Sequence, residues 1–244
     1  MNPAQRRDEL ARRLAAVRRR VETACHQARR SPEEITLVVV TKFFPASDAL
    51  LLAELGVTDV GENRDQEARA KYADVKATAP DLTLHFIGQL QSNKARSVAT
   101  YADVVHTVDR QKLVGALDRA AAAAGRALQV LVQVSLDDPA VPKAARPQLH
   151  RGGVDPAAAR GLADLVAETA YLRLAGVMAV APLGEDPDLA FARLAELADG
   201  IRADHPDATW VSAGMSGDLE AAIRHGATHL RVGTAILGSR PALR

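Results

Sequence analysis

Cysteine occurs once in the 244 residues, at Cys25. That excludes an internal disulfide framework and any cysteine-based zinc cluster, and it suits a reducing compartment. Aromatic side chains make up only 3% of the chain and the net charge is +1. So few rings and so little basic excess argue against a nucleic-acid surface. No apolar run approaches the roughly 20 residues of a membrane helix, and residues 1–30 lack the apolar block of a secretory signal. The expectation is a cytoplasmic protein that neither enters a membrane nor binds nucleic acid. The histidines form no H-E-x-x-H or close His/carboxylate set, so no metal site is expected either.

What is present is a chain 48% apolar and 25% charged, enough to bury one full core. The arginine-dense start, RRDELARRLAAVRRRVETACHQARR, has Leu10, Leu14, Val17 and Val21 at helical spacing, which predicts an amphipathic helix with a solvated basic face. Short β-branched runs then alternate with longer Ala/Leu/Arg/Glu segments. Strands are expected at 35–41, 57–61, 82–87, 103–107, 128–135, 172–180, 209–212 and 228–232. Helices are expected at 46–55, 63–78, 109–124, 156–170, 187–203 and 217–225. Ser92, Asp109 and Asp155 sit where N-caps belong, and Gly56, Gly125 and Gly226 where helices should end.

Eight strand–helix units in this length predict a single (β/α)8 TIM barrel with an extra N-terminal helix, one domain spanning 1–244. An open doubly wound sheet is the rival, but no G-x-G-x-x-G follows the first strand. The Pro/Gly-rich segment 136–154 is long for an ordinary connection and is expected to be a mobile loop at the barrel mouth.

In such a barrel, ligands sit at the carboxyl ends of the strands and phosphates near the last two loops. Those ends carry Lys42, then Glu62 and Asn63, then HFIGQLQSNK, Met178, SAGMSGD from Ser212, and RVGTAILGSR from Arg231. Gly214, Gly217 and Gly233 would let backbone amides approach an anion, with Ser216 and Thr234 adding hydroxyl donors. Taken singly, each fragment reads first as an ordinary Gly/Ser turn, and Lys42 as a solvated charge at a strand end. Together they put an amine at the mouth of strand one, facing a two-loop phosphate cradle across the barrel. An amine in a dry, cation-rich site attacks an aldehyde to form a Schiff base, so a phosphorylated aldehyde is the expected ligand, pyridoxal 5′-phosphate being the commonest.

The fragments VVVTKFFP, GENRDQE, LHFIGQLQSNK, VVHTVDR, LRLAGVMAV and SAGMSGDLEAAIRHGATHLRVGTAILGSR occur in order over nearly the whole chain. As a set they resemble the pyridoxal phosphate homeostasis proteins of the YggS/PROSC type. The resemblance implies a barrel like the barrel half of alanine racemase, with the cofactor aldehyde on Lys42. It also implies phosphate held around Ser216, Gly233 and Thr234, Met178 and Met215 lining the pocket, Asn63 near the cofactor, and Arg231 at the pyridine nitrogen. Ser212 completes the cofactor-binding set. The chain departs from the family at Ala213, Gln89 and Ser135, where Met, Pro and Asn are usual, and at Arg151-Gly152, which replaces a Lys-x-Gly.

An arginine at the ring nitrogen disfavours its protonation and weakens the ring as an electron sink. Alanine racemases also carry a second β-domain with a catalytic tyrosine, whereas Tyr72, Tyr101 and Tyr171 fall in or beside helices. The expected function is therefore a pyridoxal phosphate carrier or buffer in intracellular cofactor homeostasis, without catalytic residues or turnover. Candidate recipients are apo forms of enzymes that use the cofactor, and the chain is expected as a monomer or weak dimer. The alternatives are a racemase-like enzyme and an aldolase-type barrel forming its Schiff base on a sugar phosphate.

Overall fold

Eight parallel strands pair in chain order and the last pairs with the first, closing a barrel. They are β1 (Thr36–Val40), β2 (Asp59–Glu62), β3 (Thr83–Phe86), β4 (Val104–Val108), β5 (Leu128–Gln133), β6 (Leu172–Met178), β7 (Trp210–Ser212) and β8 (His229–Val232). This is a computed structural model, and it describes residues 2–137 and 152–239. Every expected strand is present, each trimmed or shifted by one or two residues at its ends. Closure rests on β1 and β8, where Thr36 faces His229 and Val39 faces Val232.

Alternation along each strand sorts the side chains. Val39, Val60, Leu84, Phe86, Val105, Val130, Val132, Val177, Val211, Leu230 and Val232 join the core between barrel wall and helices. Val104, Leu131, Ala175 and Met178 form a separate inner cluster in the lumen. The period of two that makes a strand makes this partition.

The helices are α1 (Pro3–Gln27), α2 (Ala46–Glu54), α3 (Asp65–Thr78), α4 (Ala95–Val98), α5 (Gln111–Ala124), α6 (Pro156–Ala167), α7 (Pro187–Asp204), α8 (Leu219–Arg224) and α9 (Thr234–Leu237). The extra helix α1 starts in a capping box, in which Asn2 accepts from the Gln5 amide and the Gln5 side chain returns to Asn2. It lies against α8 and α9 and buries Leu10, Leu14, Val17, Val21, Ala24 and Cys25. At roughly 1.5–3 kcal/mol for each large aliphatic side chain, that stripe is what docks the helix.

Its arginines are not all solvated, as the sequence pattern suggests. Arg6 donates to Asp48 of α2 at 2.6 Å and to the Leu237 carbonyl at 3.1 Å. Arg20 reaches Glu220 and the Ser216 carbonyl, and Arg30, three residues past the end of α1, reaches the carbonyls of Ile223 and Ala227. The guanidinium fork bonds a carboxylate and a carbonyl at once, so basic density here serves helix docking.

Two expected caps are corrected. Ser92 opens a 3₁₀ turn (Ser92–Lys94) whose cap position is Gln91, and the cap of α5 is Arg110, with Asp109 paired to the Arg110 guanidinium. In both cases the extended backbone required of a cap falls on the neighbouring residue. Asp155 caps α6 as expected, accepting from the Ala157 amide with Pro156 at the first position. Gly125 ends α5 in the left-handed conformation. Of the segment 136–154, residues 138–151 lie outside the described residues; its return is anchored where Val154 bridges Val134.

Candidate functional site

The residues singled out in the sequence come from β6, β7, β8, β1 and β2, which are consecutive neighbours around the barrel. They therefore occupy one arc of the mouth. Closure also corrects one expectation: Lys42 does not face the two glycine-rich loops from across the barrel. β8 is hydrogen-bonded to β1, so the lysine stands beside the last loop, and a Cβ on Gly233 would come within 3.2 Å of the Val40 carbonyl.

Lys42 lies two residues past β1 in a turn closed by the Phe44 amide on the Thr41 carbonyl, 3.1 Å. It is half-buried, and its Nζ sits 5.8 Å from the centroid of the Phe43 ring. Arg64 lies over the same ring at 5.0 Å. Phe43 adopts φ +70°, a left-handed conformation that costs a non-glycine residue about 1–3 kcal/mol unless its surroundings hold it. The holder is Glu67 of α3, whose Oε1 accepts from the Phe43 amide at 2.5 Å.

Behind that turn is a polar cluster that sequence reading missed. Lys71 of α3 is buried, its Nζ 2.6 Å from Glu62 Oε1, 2.9 Å from the Thr41 carbonyl and 3.5 Å from Glu67 Oε1. Thr41 Oγ1 donates to Glu62 Oε1 at 2.7 Å and lies 3.3 Å from the Tyr72 hydroxyl. Burial pushes the Glu62 carboxyl above its ordinary range, against the pull of Lys71 and Thr41. Burial likewise pushes the Tyr72 hydroxyl well up. The only signal in the sequence was the Glu67–Lys71 spacing of four, which reads as a surface pair.

The other half of the arc is built from backbone. Gly214 has φ +88°, and a Cβ there would lie 2.6 Å from the Ala222 Cβ, so only glycine allows the turn after β7 to pack on α8. Among the described residues, the amides of Ser216, Gly217, Thr234 and Ala235 meet no acceptor. Ser216 is half-buried and Thr234 exposed; Arg20 holds the first of these loops through the Ser216 carbonyl. Met215 stands 39% exposed at the rim, while Met178 is buried in the lumen. Asn63 is half-buried, and its Oδ1 is enclosed without a partner.

Ser212 and Arg231 point into the lumen and meet. Arg231 Nη1 donates to Ser212 Oγ at 2.6 Å and Nη2 to the Ala179 carbonyl at 2.8 Å. Both residues are buried. Burial lowers Arg231 from its ordinary value to about 10, with Asp218 acting in the opposite direction. His106 Nδ1 lies 2.9 Å from the same serine oxygen, and the sequence reading did not join this histidine to the site.

The arrangement offers a half-buried amine, a nest of free amides beside it for an anion, and a buried guanidinium on the lumen side. The family model of the alanine racemase N-terminal domain matches residues 13–241. The pyridoxal phosphate homeostasis protein of Mycobacterium tuberculosis is 44% identical over 252 residues, covering 96% of this chain and 94% of its own. That of Escherichia coli is 37% identical over 243 residues, covering 96% and 97%. The solved structure of PipY from Synechococcus elongatus with PLP bound aligns at TM-score 0.78 and 34% identity, over 94% of this chain and 100% of its own. On a shared barrel and near end-to-end similarity, the chain belongs to the pyridoxal phosphate homeostasis protein family.

Proposed function

We propose that this chain binds pyridoxal 5′-phosphate through Lys42 and serves intracellular homeostasis of that cofactor as a carrier or buffer. The observation that carries the reading is the juxtaposition of Lys42 with the Gly233–Ala235 turn, an amine beside free amides, made by the pairing of β1 with β8. The names of the relatives and the PLP bound to PipY support it.

The residues fit the group. A phosphate would accept from the amides of Ser216, Gly217, Thr234 and Ala235 and from the hydroxyls of Ser216 and Thr234. Asn63, whose Oδ1 has no partner, would meet a polar substituent of the ring. Arg231 would meet the ring nitrogen with Ser212 fixing its Nη1; Met178 and Met215 would flank the ring below and at the rim. When bound, the cofactor supplies an aldehyde that condenses with a primary amine. Lys42 holds that amine at the mouth, Glu67 and Lys71 hold the turn that carries it, and Arg231 keeps a positive charge where ring protonation would otherwise occur. A carrier needs no further acid or base. Within the same reading the whole chain 1–244 acts as one cofactor-binding domain, a monomer or weak dimer in the cytoplasm, with apo forms of enzymes that use the cofactor as recipients.

Borohydride reduction of the protein saturated with the cofactor, followed by peptide mass spectrometry, tests it. The expected result is the cofactor adduct on Lys42 and its loss in Lys42→Ala. An adduct confined to other lysines, or visible absorption of the bound chromophore surviving in Lys42→Ala, overturns the reading.

A further inference from the structure

A line of hydrogen bonds runs through the lumen from the barrel floor to Arg231. Strand alternation turns Asp59 (β2), His85 (β3), His106 (β4), Ser212 (β7) and Arg231 (β8) inward. Asp59 Oδ1 is 2.8 Å from His85 Nε2, and His85 Nδ1 is 2.7 Å from His106 Nε2. His106 Nδ1 is 2.9 Å from Ser212 Oγ, which accepts from Arg231 Nη1 at 2.6 Å. Neither histidine side chain has access to solvent. Asp59 does: its side chain borders a cleft of about 340 Å³ at the floor, shared with Arg18 and Glu22 of α1 and with Thr58.

The ends of the line dictate its hydrogens. A guanidinium can only donate, and an ionised carboxylate can only accept. His85 therefore carries its proton on Nε2, toward Asp59. A cationic imidazole would be a second positive charge in a lumen that already holds Arg231, with Asp59 as the sole acid on the line, a cost that neutral rings avoid. Neutral His85 accepts at Nδ1 from His106 Nε2–H, and His106 accepts at Nδ1 from the Ser212 hydroxyl. Every donor points from the mouth toward the floor. Aligned dipoles of this kind polarise one another, and they separate a buried cation at one end from its carboxylate at the other.

We propose that Asp59, His85 and His106 are positioning residues for Arg231, and that this one-way chain, acting through Ser212, presents the guanidinium to the cofactor ring and ties its charge to a carboxylate at the barrel floor. The proposal rests on the reading that the mouth holds pyridoxal phosphate with its ring toward Arg231. Two directions of titration agree with it. Burial, with Arg231 nearby, holds His106 well below its ordinary value, and hydrogen bonds from His85 and Thr58 hold Asp59 below its own despite burial. The charged and titratable groups that face Asp59 are His85, His229, and Arg18 and Glu22 across the cleft.

The first test is nitrogen-15 NMR of the imidazoles in the full cofactor-free chain at neutral pH. The expected result is His85 and His106 both neutral, protonated at Nε2 and bare at Nδ1. A proton on Nδ1 of either ring, or a cationic ring, overturns the one-way chain. The second uses cofactor-loaded Asp59→Asn and His106→Gln. Both are expected to keep the borohydride-trapped adduct on Lys42 and the wild-type circular dichroism. The midpoint of the chromophore's absorption change with pH is expected to move by about half a unit or more, and the cofactor to be lost about 3- to 10-fold faster, the worth of one hydrogen bond. A pH midpoint and loss rate equal to wild type overturn the positioning role. If wild-type Lys42 traps no cofactor, the proposed function fails, and the NMR result alone decides the chain; it also decides if either variant does not fold.

Discussion

Lys71→Met is the sharpest perturbation of the turn that carries Lys42. In the native protein the ammonium bonds Glu62, the Thr41 carbonyl and Glu67. Methionine fills similar space but leaves the fully enclosed Glu62 carboxylate with only the Thr41 hydroxyl, its Oε2 already having no partner. Breaking one side of a buried pair costs about 3–5 kcal/mol, a large share of the 5–15 kcal/mol typical of a folded domain. At about 2–4 °C per kcal/mol for a chain of this size, the melting temperature should drop by roughly 6–20 °C.

The pH dependence supplies the discriminating readout. The folded-state value of Glu62 is already raised, so the folded protein prefers its neutral form more than the unfolded chain does. Acidification through that raised value therefore relieves the penalty, whereas above it the penalty is fully present. Removing Lys71 raises the value further. The loss measured by urea unfolding should be greatest near neutral pH and shrink toward mildly acidic pH, and Glu62→Gln in the Lys71→Met background should restore part of it. A loss below about 1 kcal/mol, the range of a surface pair, or a loss independent of pH, refutes the account of a buried latch.

Gly214→Ala should destabilise by about 2–3 kcal/mol, since it combines a left-handed φ with a Cβ 2.6 Å from Ala222; it should also weaken phosphate retention, and equal melting curves count against the tight turn. His229 is stacked on Trp210, ring centroids 4.1 Å apart, and burial lowers it from 6.5 to about 3. Stability is thus full above about pH 6.5 and falls as pH drops toward 3, by up to about 5 kcal/mol from this group; His229→Phe should flatten that slope, and an unchanged slope assigns the acid lability elsewhere. Asp155→Ala removes the α6 cap and should cost about 1 kcal/mol while leaving cofactor retention at the wild-type level.

The barrel was legible because its strands are short β-branched runs with turn residues between them, and eight such units admit few closed arrangements. Lys42 and Gly233 were legible as mouth positions because strand ends locate the mouth, while Ser212 and Arg231 entered as site residues with the family resemblance. What escaped depends on quantities a single chain does not display. Lys71 looks like one more charge on an amphipathic helix until the end of β2 is seen to turn Glu62 outward against it. His85 and His106 are both on inward-facing positions, yet their contact follows from the register that sets His85 beside Val104 rather than beside His106. The same gap misled the placement of Lys42 relative to the β8 loop, since neighbourhood in a closed barrel joins the two ends of the sequence.

The two polar systems lie on opposite sides of the same wall and serve different ends of one proposed ligand. On the helix side, Glu62, Lys71 and Glu67 hold the backbone from Thr41 to Phe43, including a left-handed residue that would otherwise relax. On the lumen side, the chain from Asp59 to Ser212 holds Arg231. Between them the Lys42 amine has no hydrogen bond or ion pair among the described residues, only the face of the Phe43 ring 5.8 Å away. Rigid surroundings lower the ordering cost of binding, while a lysine with no partner to surrender can take up an aldehyde and give it back. Preorganisation placed everywhere except on the Lys42 amine is what the proposed reversible holding would require. A catalyst would in addition need an acid or base aimed at the substrate's own carbon.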